Sequence, residues 1–307
     1  MKILITGGTG MVGSSFNDIE CSHDLVLCGS KDYNLTNIVE VESMIKKINP
    51  DSIIHLAAKV GGVKSNSDFT ADFFHENIMI NSNVLNCSRR FAVPKVLSLL
   101  STCIYPDRPV YPLTEDQVHN GEPHRSNFGY AYAKRMLEVH SRAIRNQYGL
   151  NYITAIPNNI YGPRDNFDLD NGHVIPSMIR KFHEAKQRGT DVVLWGSGQP
   201  LREFTLSKDI ASALIFLLEN YEGEEPINIG STREITIKKV AEVISKKIGF
   251  TGKVIWDTSK PEGQLKKPSS NQKFLDISPN FCYTELEHGL KDTISWFKNN
   301  YPNIRGL

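Results

Sequence analysis

Tyr130 and Lys134 stand four residues apart in Gly129-Tyr130-Ala131-Tyr132-Ala133-Lys134, a spacing that puts both on one face of a helix. A phenol with a pKa near ~10 exchanges protons poorly at neutral pH until a nearby cation stabilises the phenolate. Lys134 can supply that charge, whereas Tyr132 is offset onto another face. Upstream, the apolar run Val96 to Leu100 breaks off into Ser101-Thr102-Cys103, and Pro106 stops the strand. In extended chain Ser101 and Cys103 share one side and Thr102 faces the other. The thiol reads in two ways. A free cysteine is commonly a small buried hydrophobe. As a base it would need a cationic or dipolar neighbour, because a thiol near ~8.5 is only partly ionised at neutral pH. His173 lies between Gly172 and Val174-Ile175-Pro176 at a loop-to-helix junction. There it has the titration range of a proton donor and equally the position of a helix cap.

A second set of residues could hold a dinucleotide. Thr6-Gly7-Gly8-Thr9-Gly10-Met11-Val12-Gly13 follows the strand-like run Lys2 to Thr6. Gly7, Gly10 and Gly13 permit a tight turn, let backbone N–H groups approach a pyrophosphate, and let a helix pack close to the strand. An NAD site usually ends its second strand in an acidic residue that holds the ribose hydroxyls. Here that strand ends Cys28-Gly29-Ser30-Lys31. Lys31 beside a serine suits a 2′-phosphate, so the expected cofactor is NADP(H). Asp32 then either contacts the adenine side or caps a turn.

Strands and helices in alternation must position these groups. Strand-like runs at 2–6, 24–28, 51–56, 96–100 and 152–157 alternate with helical patterns at 39–48, 73–91 and 130–148. That order predicts an α/β fold, a doubly wound parallel sheet covered on both faces. After Gly162-Pro163 the pattern loosens into a smaller C-terminal lobe. It contains helices at 175–188, 207–220 and 236–248, strands at 192–195 and 226–229, a basic loop at 259–273, and a last helix ending near Asn299.

Composition removes several function classes. With 40% hydrophobic and 22% charged residues among 307, the chain has ordinary globular composition. A net charge of +1 without a long basic run leaves no footprint for nucleic acid or anionic membrane. Apolar stretches such as Ala213 to Leu218 are too short to span a bilayer, and MKILITGG reads as a first strand rather than a signal peptide. Five scattered cysteines without a CxxC pair argue for reduced thiols in a cytoplasm. The nine histidines form no ligand pair, so no metal is expected.

With its glycine loop, a serine after the fourth strand and a YxxxK helix, the chain resembles the extended short-chain dehydrogenase/reductase family over essentially its whole length. The resemblance implies a Rossmann-type domain. It also implies that Ser101 hydrogen-bonds a substrate carbonyl, that Tyr130 protonates it, and that Lys134 lowers the tyrosine pKa and binds the nicotinamide ribose. Met11, Val12 and Ala57 join Gly7, Gly10, Gly13 and Lys31 around the cofactor.

Seven further segments, Ala57 to Gly62, Ser101 to Pro106, Pro157 to Pro163, Asp165 to Phe167, Gly172 to Pro176, Trp195 to Gly198 and Arg202 to Phe204, narrow the resemblance. In that order they are similar to the GDP-4-keto-6-deoxy-D-mannose 3,5-epimerase/4-reductases of the family. By this resemblance Cys103 and His173 are the base and acid of epimerisation. Asn159, Lys181, Trp195 and Arg202 would line the site of a GDP-linked 4-keto-6-deoxy sugar, with Lys267 adding charge near the diphosphate. Each has a plainer alternative. Trp195 could be strand-end core, Arg202 could pair with Glu203 at the surface, and Lys266 and Lys267 could sit in a solvated loop. An NADP-binding domain is expected over 1–163, with returning segments near 205–230, and a nucleotide-sugar lobe over 164–204 and 231–307. The family usually dimerises through its two long helices, so a homodimer is expected, with Ile78, Ile80, Val84 and Leu85 on a core or interface face.

The chemistry is coherent. In a 4-keto sugar the protons on C3 and C5 are acidic, and removing either puts negative charge on O4. Donors that stabilise O4 during reduction stabilise that enolate as well, so epimerisation adds only a base and an acid on opposite faces. A 4,6-dehydratase typically carries an Asp-Glu pair where Cys103-Ile104 stand, and a simple 4-epimerase lacks the Cys/His pair. A non-catalytic NADP sensor tends to lose the Tyr-Lys pair. The open alternative is a C4-reductase acting on a related sugar such as a heptose, with epimerisation done elsewhere.

Overall fold

The computed structural model describes residues 1–260 and 264–307, so Gly263 of the basic loop lies outside the described residues. The first half runs β1 (Lys2–Thr6), α1 (Met11–Ser14), β2 (Asp24–Cys28), α2 (Ile38–Ile48), β3 (Ser52–His55), α3 (Val63–Asp68), α4 (Thr70–Arg90), β4 (Lys95–Leu99), α5 (Phe128–Tyr148) and β5 (Asn151–Pro157). Next come β6 (Asn159–Tyr161), α6 (Val174–Arg188), β7 (Val192–Trp195), β8 (Leu201–Leu206), α7 (Ser207–Asn220) and β9 (Ile227–Ile229). The chain closes with β10 (Glu234–Thr236), α8 (Ile237–Ile248), β11 (Val254–Asp257), α9 (Gln272–Ile277) and α10 (Leu286–Asn300).

Six strands form one parallel sheet in the order β2-β1-β3-β4-β5-β9. Its inner strands read as unbroken apolar runs because both faces are covered. Alternate residues leave on opposite sides. Leu4, Ile53, Val96 and Tyr152 pack with residues of α2, α4 and α5. Ile3, Ile5, Ile54 and Leu97 pack with residues of α1 and α7. Strand order reverses between β1 and β3, so a crevice opens at their carboxyl ends, where open α/β sheets take their ligands. The fold is the expected doubly wound, Rossmann-type sheet.

The rest of the chain builds two small sheets, β10-β8-β6 and β11-β7. They share a core with α6, α8 and α10 around Phe167, Phe182 and Phe297. Strands β6, β8, β10 and β11 escape a reading of the sequence, because they fall outside the strand–helix alternation that marks the first half. No helix among the described residues is long and apolar enough to cross a membrane.

Local geometry corrects one expectation. Beyond β4 the chain is not extended. Ser101 caps a 3₁₀ turn over Thr102–Ile104, its side chain accepting from Cys103 N. The same-side argument for Ser101 and Cys103 therefore fails, and the turn itself sets where the thiol lies.

Asp165, in the loop before α6, is buried. Its Oδ1 accepts from Asn166 N at 2.7 Å, while Oδ2 has no partner among the described residues. Burial pushes this carboxyl up to about 7, against the Asn166 hydrogen bond and the nearby Arg305 charge. The unfolded carboxyl titrates near ~3.9, so between these values the folded chain holds a proton that the unfolded chain has lost. The stability this contributes is complete at low pH and is lost as pH rises through about 7. Asp165→Asn, which cannot ionise, should lose less Tm than the parent protein between mildly acidic and mildly alkaline pH. Parallel losses in a thermal-shift series would show that no such proton is held.

Candidate active site

The glycine loop meets the close-approach requirement at two points. Gly7 has φ +73°, and a Cβ there would stand 2.8 Å from Ala57 N, just beyond β3. A Cβ on Gly13 would overlap the Gly7 carbonyl and the Gly8 backbone. Gly10 donates to Gly7 O at 3.0 Å and caps α1. Val12 is buried in the sheet core, so only its main chain can face a ligand, as can that of Met11; the first N–H groups of a helix lack intrahelical acceptors. Asp32 bends back to accept from Gly29 N at 2.8 Å. It caps the turn and leaves Lys31 exposed at the end of β2. The backbone cradle and the exposed cation fit a dinucleotide carrying a 2′-phosphate.

At the end of β4 the chemical groups converge. Lys134 is 2% exposed, and its Nζ donates to Leu99 O at 2.8 Å. The same Nζ lies 6.0 Å from the Tyr130 ring centre. Burial pushes the ammonium down to about 8. Burial, and then the charge of Cys103, raise the Tyr130 phenol above its ordinary range. That is opposite to the lowering the resemblance implies, and it keeps the phenol protonated. Cys103 is partly buried, with its amide N 3.4 Å from Ser101 Oγ. Burial raises its thiol, while the Ser101 hydrogen bond, Lys267 and Lys134 pull it down. Lys267 reaches this turn from the far end of the chain, Nζ donating to Thr102 O at 2.9 Å.

His173 is the N-cap residue of α6, but its ring makes no capping bond; its backbone carbonyl accepts from Ser177 N at 3.1 Å. Its side chain is solvent-exposed, yet neighbouring protein, and then the Arg305 charge, lower its pKa. Two residues earlier, Asn171 is fastened to the segment after β3. Gly62 N donates to Asn171 O at 3.2 Å, and Ser65 Oγ bonds Asn171 Oδ1. Residues 305 and 306 hold the same loop from behind. Phe167 N donates to Arg305 O at 3.0 Å, and Arg180 Nη1 to Gly306 O at 2.6 Å.

In the smaller lobe Trp195 is 55% exposed at the end of β7, so it is not core. Lys181 Nζ and Lys260 Nζ each lie 5.8 Å from its ring centre. Arg202 on β8 donates through Nη1 to Leu201 O and Gln264 O, both at 2.7 Å. Glu203 is buried and accepts from Ser269 N at 2.9 Å and Ser269 Oγ at 2.5 Å. Asn159 Nδ2 donates to Glu203 O at 2.8 Å.

Two buried groups were not legible as site residues. Glu203 anchors the segment that carries Lys267. His55 links the start of the glycine loop to α5: its Nδ1 lies 2.7 Å from Thr6 Oγ1 and its Nε2 3.1 Å from Asn81 Oδ1. Asn81 Nδ2 in turn donates to Ala133 O at 3.3 Å. Burial, then the Lys134 charge, hold the imidazole down to about 3, hence neutral. A histidine inside an apolar strand gives no sequence signal of such a chain of bonds.

A glycine-cradled parallel sheet with Ser, Tyr and Lys at the end of its fourth strand defines a short-chain dehydrogenase/reductase-type site. Residues 3–230 match the model of the NAD dependent epimerase/dehydratase family, and the chain belongs to that family. It is 44% identical to a GDP-L-fucose synthase of Dictyostelium discoideum, over 99% of this chain and 97% of that one. Among solved structures, it is similar to a GDP-L-fucose synthetase from Naegleria fowleri bound to NADP. The TM-score is 0.94 and the identity 42%, with 99% of this chain and 94% of that one covered. A GDP-6-OMe-4-keto-L-xylo-heptose reductase from C. jejuni is similar at a TM-score of 0.88 and 26% identity, covering 97% of this chain and 98% of the other.

The crowding at Gly13 generates a test. Gly13→Ala should displace the Gly7-Gly8 backbone, cost roughly 1–3 kcal/mol of stability, and weaken NADPH binding by about tenfold or more. An NADPH fluorescence titration with unchanged affinity would remove the loop from the cofactor site.

Proposed function

We propose that this protein converts a GDP-linked 4-keto-6-deoxy-D-mannose to GDP-L-fucose, by epimerisation at C3 and C5 followed by NADPH-dependent reduction at C4. This reading rests on the gathering of Ser101, Cys103, Tyr130 and Lys134 beyond β4, beside the glycine cradle. The likeness to GDP-L-fucose synthases over nearly the whole chain supports it. The cofactor is NADP(H), held by Gly7, Gly10, Gly13, the main chain of Met11 and Val12, Ala57, Lys31 and Lys134; when bound it supplies the hydride for C4.

Ser101 and Tyr130 hold O4 of the sugar by hydrogen bonds. Cys103, as thiolate, removes the proton from C3 or C5, and the electron pair moves onto O4. His173 returns a proton to the same carbon from the opposite face. Once Cys103 has given its proton to solvent and His173 has taken one back, a second round inverts the other centre. During reduction Tyr130 gives its proton to O4, and the buried ammonium of Lys134 stabilises the phenolate left behind. Trp195 stacks on the guanine, flanked by Lys181. Asn159, Arg202 and Lys267 line the path of the diphosphate and sugar.

We assign the cofactor to 1–163 with 205–230, and the GDP-sugar lobe to 164–204 and 231–307. Packing of α7 and β9 against the main sheet supports that division. The partner in solution is a second copy, docked through α4 and α5. Val84 and Leu85 are core, Ile78 and Ile80 are partly exposed, and Phe74 and Met136 are about 40% exposed. Phe74→Arg should shift sedimentation from dimer to monomer. A parent protein that sediments as a monomer would remove this interface.

A C4-reductase acting alone is the second reading, favoured only by the likeness to the heptose reductase. Incubation with GDP-4-keto-6-deoxy-D-mannose in D2O separates the two. Deuterium should enter C3 and C5 without NADPH, Cys103→Ser should abolish that exchange, and Tyr130→Phe should lose reduction by about a hundredfold or more. NADPH oxidation with no deuterium uptake establishes the plain reductase instead.

A further inference from the structure

A thiol that acts as a base while partly buried needs a positive charge beside it, and the C-terminal part of the chain delivers one. We propose that Lys267 is the cation that ionises Cys103, a positioning residue that keeps the thiolate ready before any sugar binds. The proposal rests on the reading of Cys103 as the epimerisation base and goes beyond an electrostatic grip on the diphosphate.

Lys267 Nζ donates to Thr102 O at 2.9 Å, the carbonyl of the residue just before Cys103, across a sequence separation of 165. The lysine's own backbone is pinned on both sides. Before it, Leu201 N donates to Leu265 O at 2.8 Å, and Arg202 Nη1 to Gln264 O at 2.7 Å. After it, Leu113 N donates to Pro268 O and Ser270 N to Leu113 O, each at 2.9 Å, and Ser269 is clasped by the buried Glu203. A side chain launched from so constrained a segment has few places to put its charge. In this partly buried setting a charge acts more strongly than in bulk water.

Among the described residues, each charged or titratable group facing the thiol has a position. From α5 come Tyr130, Lys134 and Arg135. Lys134 is bound to Leu99 O. Arg135 is committed to Ile104 O at 2.6 Å and Gly121 O at 2.7 Å. From the other lobe comes Lys267, itself faced by Arg202 and Asp107. Lys134 has the Tyr130 proton to serve, which leaves Lys267, among the described residues, as the cation available to the thiol. The coupling is mutual, since burial lowers the Lys267 ammonium while Cys103 draws it back up. It follows that the base is competent only while residues 264–270 are seated on the Thr102 turn. A loop of the sugar lobe thereby controls chemistry on the cofactor sheet.

Iodoacetamide alkylation of Cys103 across neutral to alkaline pH tests this on the full chain, without cofactor or sugar. Mass spectrometry of the Cys103 peptide gives the rate, with Cys103→Ser as blank. Lys267→Gln, which can still donate to Thr102 O, and Lys267→Met, which keeps the apolar stem, should both shift the profile to higher pH. Each should slow alkylation at neutral pH by about tenfold, while Lys267→Arg stays near the parent profile. NADPH binding by each variant confirms that it is folded. Parent-like alkylation in both neutral variants overturns the proposal, and a rise in the KM of the GDP-sugar alone would then leave Lys267 on the diphosphate. An Arg variant shifted as far as the neutral ones also overturns it, because charge would not be the cause. Alkylation needs no turnover, so a Cys103→Ser enzyme that still exchanged C3 and C5 protons would remove the base role and leave the Lys267–Cys103 coupling intact.

Discussion

An ammonium group buried in a protein must find a partner or lose its proton, and Lys134 finds the carbonyl of Leu99 at 2.8 Å. Breaking such an arrangement would cost several kcal/mol, because the charge would be stranded away from water. The bond dictates the architecture around it. Strand β4 must end at Leu99 for its carbonyl to be aimed at a side chain, and α5 must cross that end at a fixed height. Helix α4 packs along α5, and Asn81 reaches from it to Ala133 O, one residue before the lysine. The other end of that polar chain is Thr6, the last residue before the glycine loop. The glycine loop and the helix face of Tyr130 and Lys134 are thus referenced to one buried row of hydrogen bonds.

The second coupling runs between the two lobes, through buried polar side chains that have little choice of partner. Asn228 on β9 accepts from Tyr105 OH at 2.7 Å and donates to Leu113 O at 3.1 Å and Ser270 O at 3.0 Å. Glu203 on β8 does the same work for Ser269. Polar groups removed from water and fully bonded specify one arrangement far more sharply than apolar contact does. They hold residues 264–270 against the turn that carries Cys103. Cys103, Lys134 and Lys267 are therefore held near one turn even though they come from distant parts of the chain.

Burial also sets the electrostatic starting point. It lifts the Tyr130 phenol and the Cys103 thiol and depresses the Lys134 and Lys267 ammonium groups. Each group is pushed toward its neutral form, and only pairing restores charge.

The sequence by itself determined whatever is local and repetitive. The apolar runs of β1, β3, β4 and β5 announced a parallel sheet, and the glycine spacing announced the cradle. The four-residue interval of Tyr130 and Lys134 announced one helical face. It also named Cys103 and His173, but by resemblance rather than by geometry. Only the tertiary structure decided what surrounds those residues. It replaced the extended reading of Ser101 to Cys103 with a 3₁₀ turn, turned Asp32 back onto Gly29, and buried Glu203 away from the ion pair its neighbour Arg202 suggested. It placed Lys267 on Thr102, a contact no spacing rule reaches. The reason is physical: periodicity reports which face of an element is dry, whereas hydrogen bonds and charge pairs between distant segments depend on where whole elements come to rest.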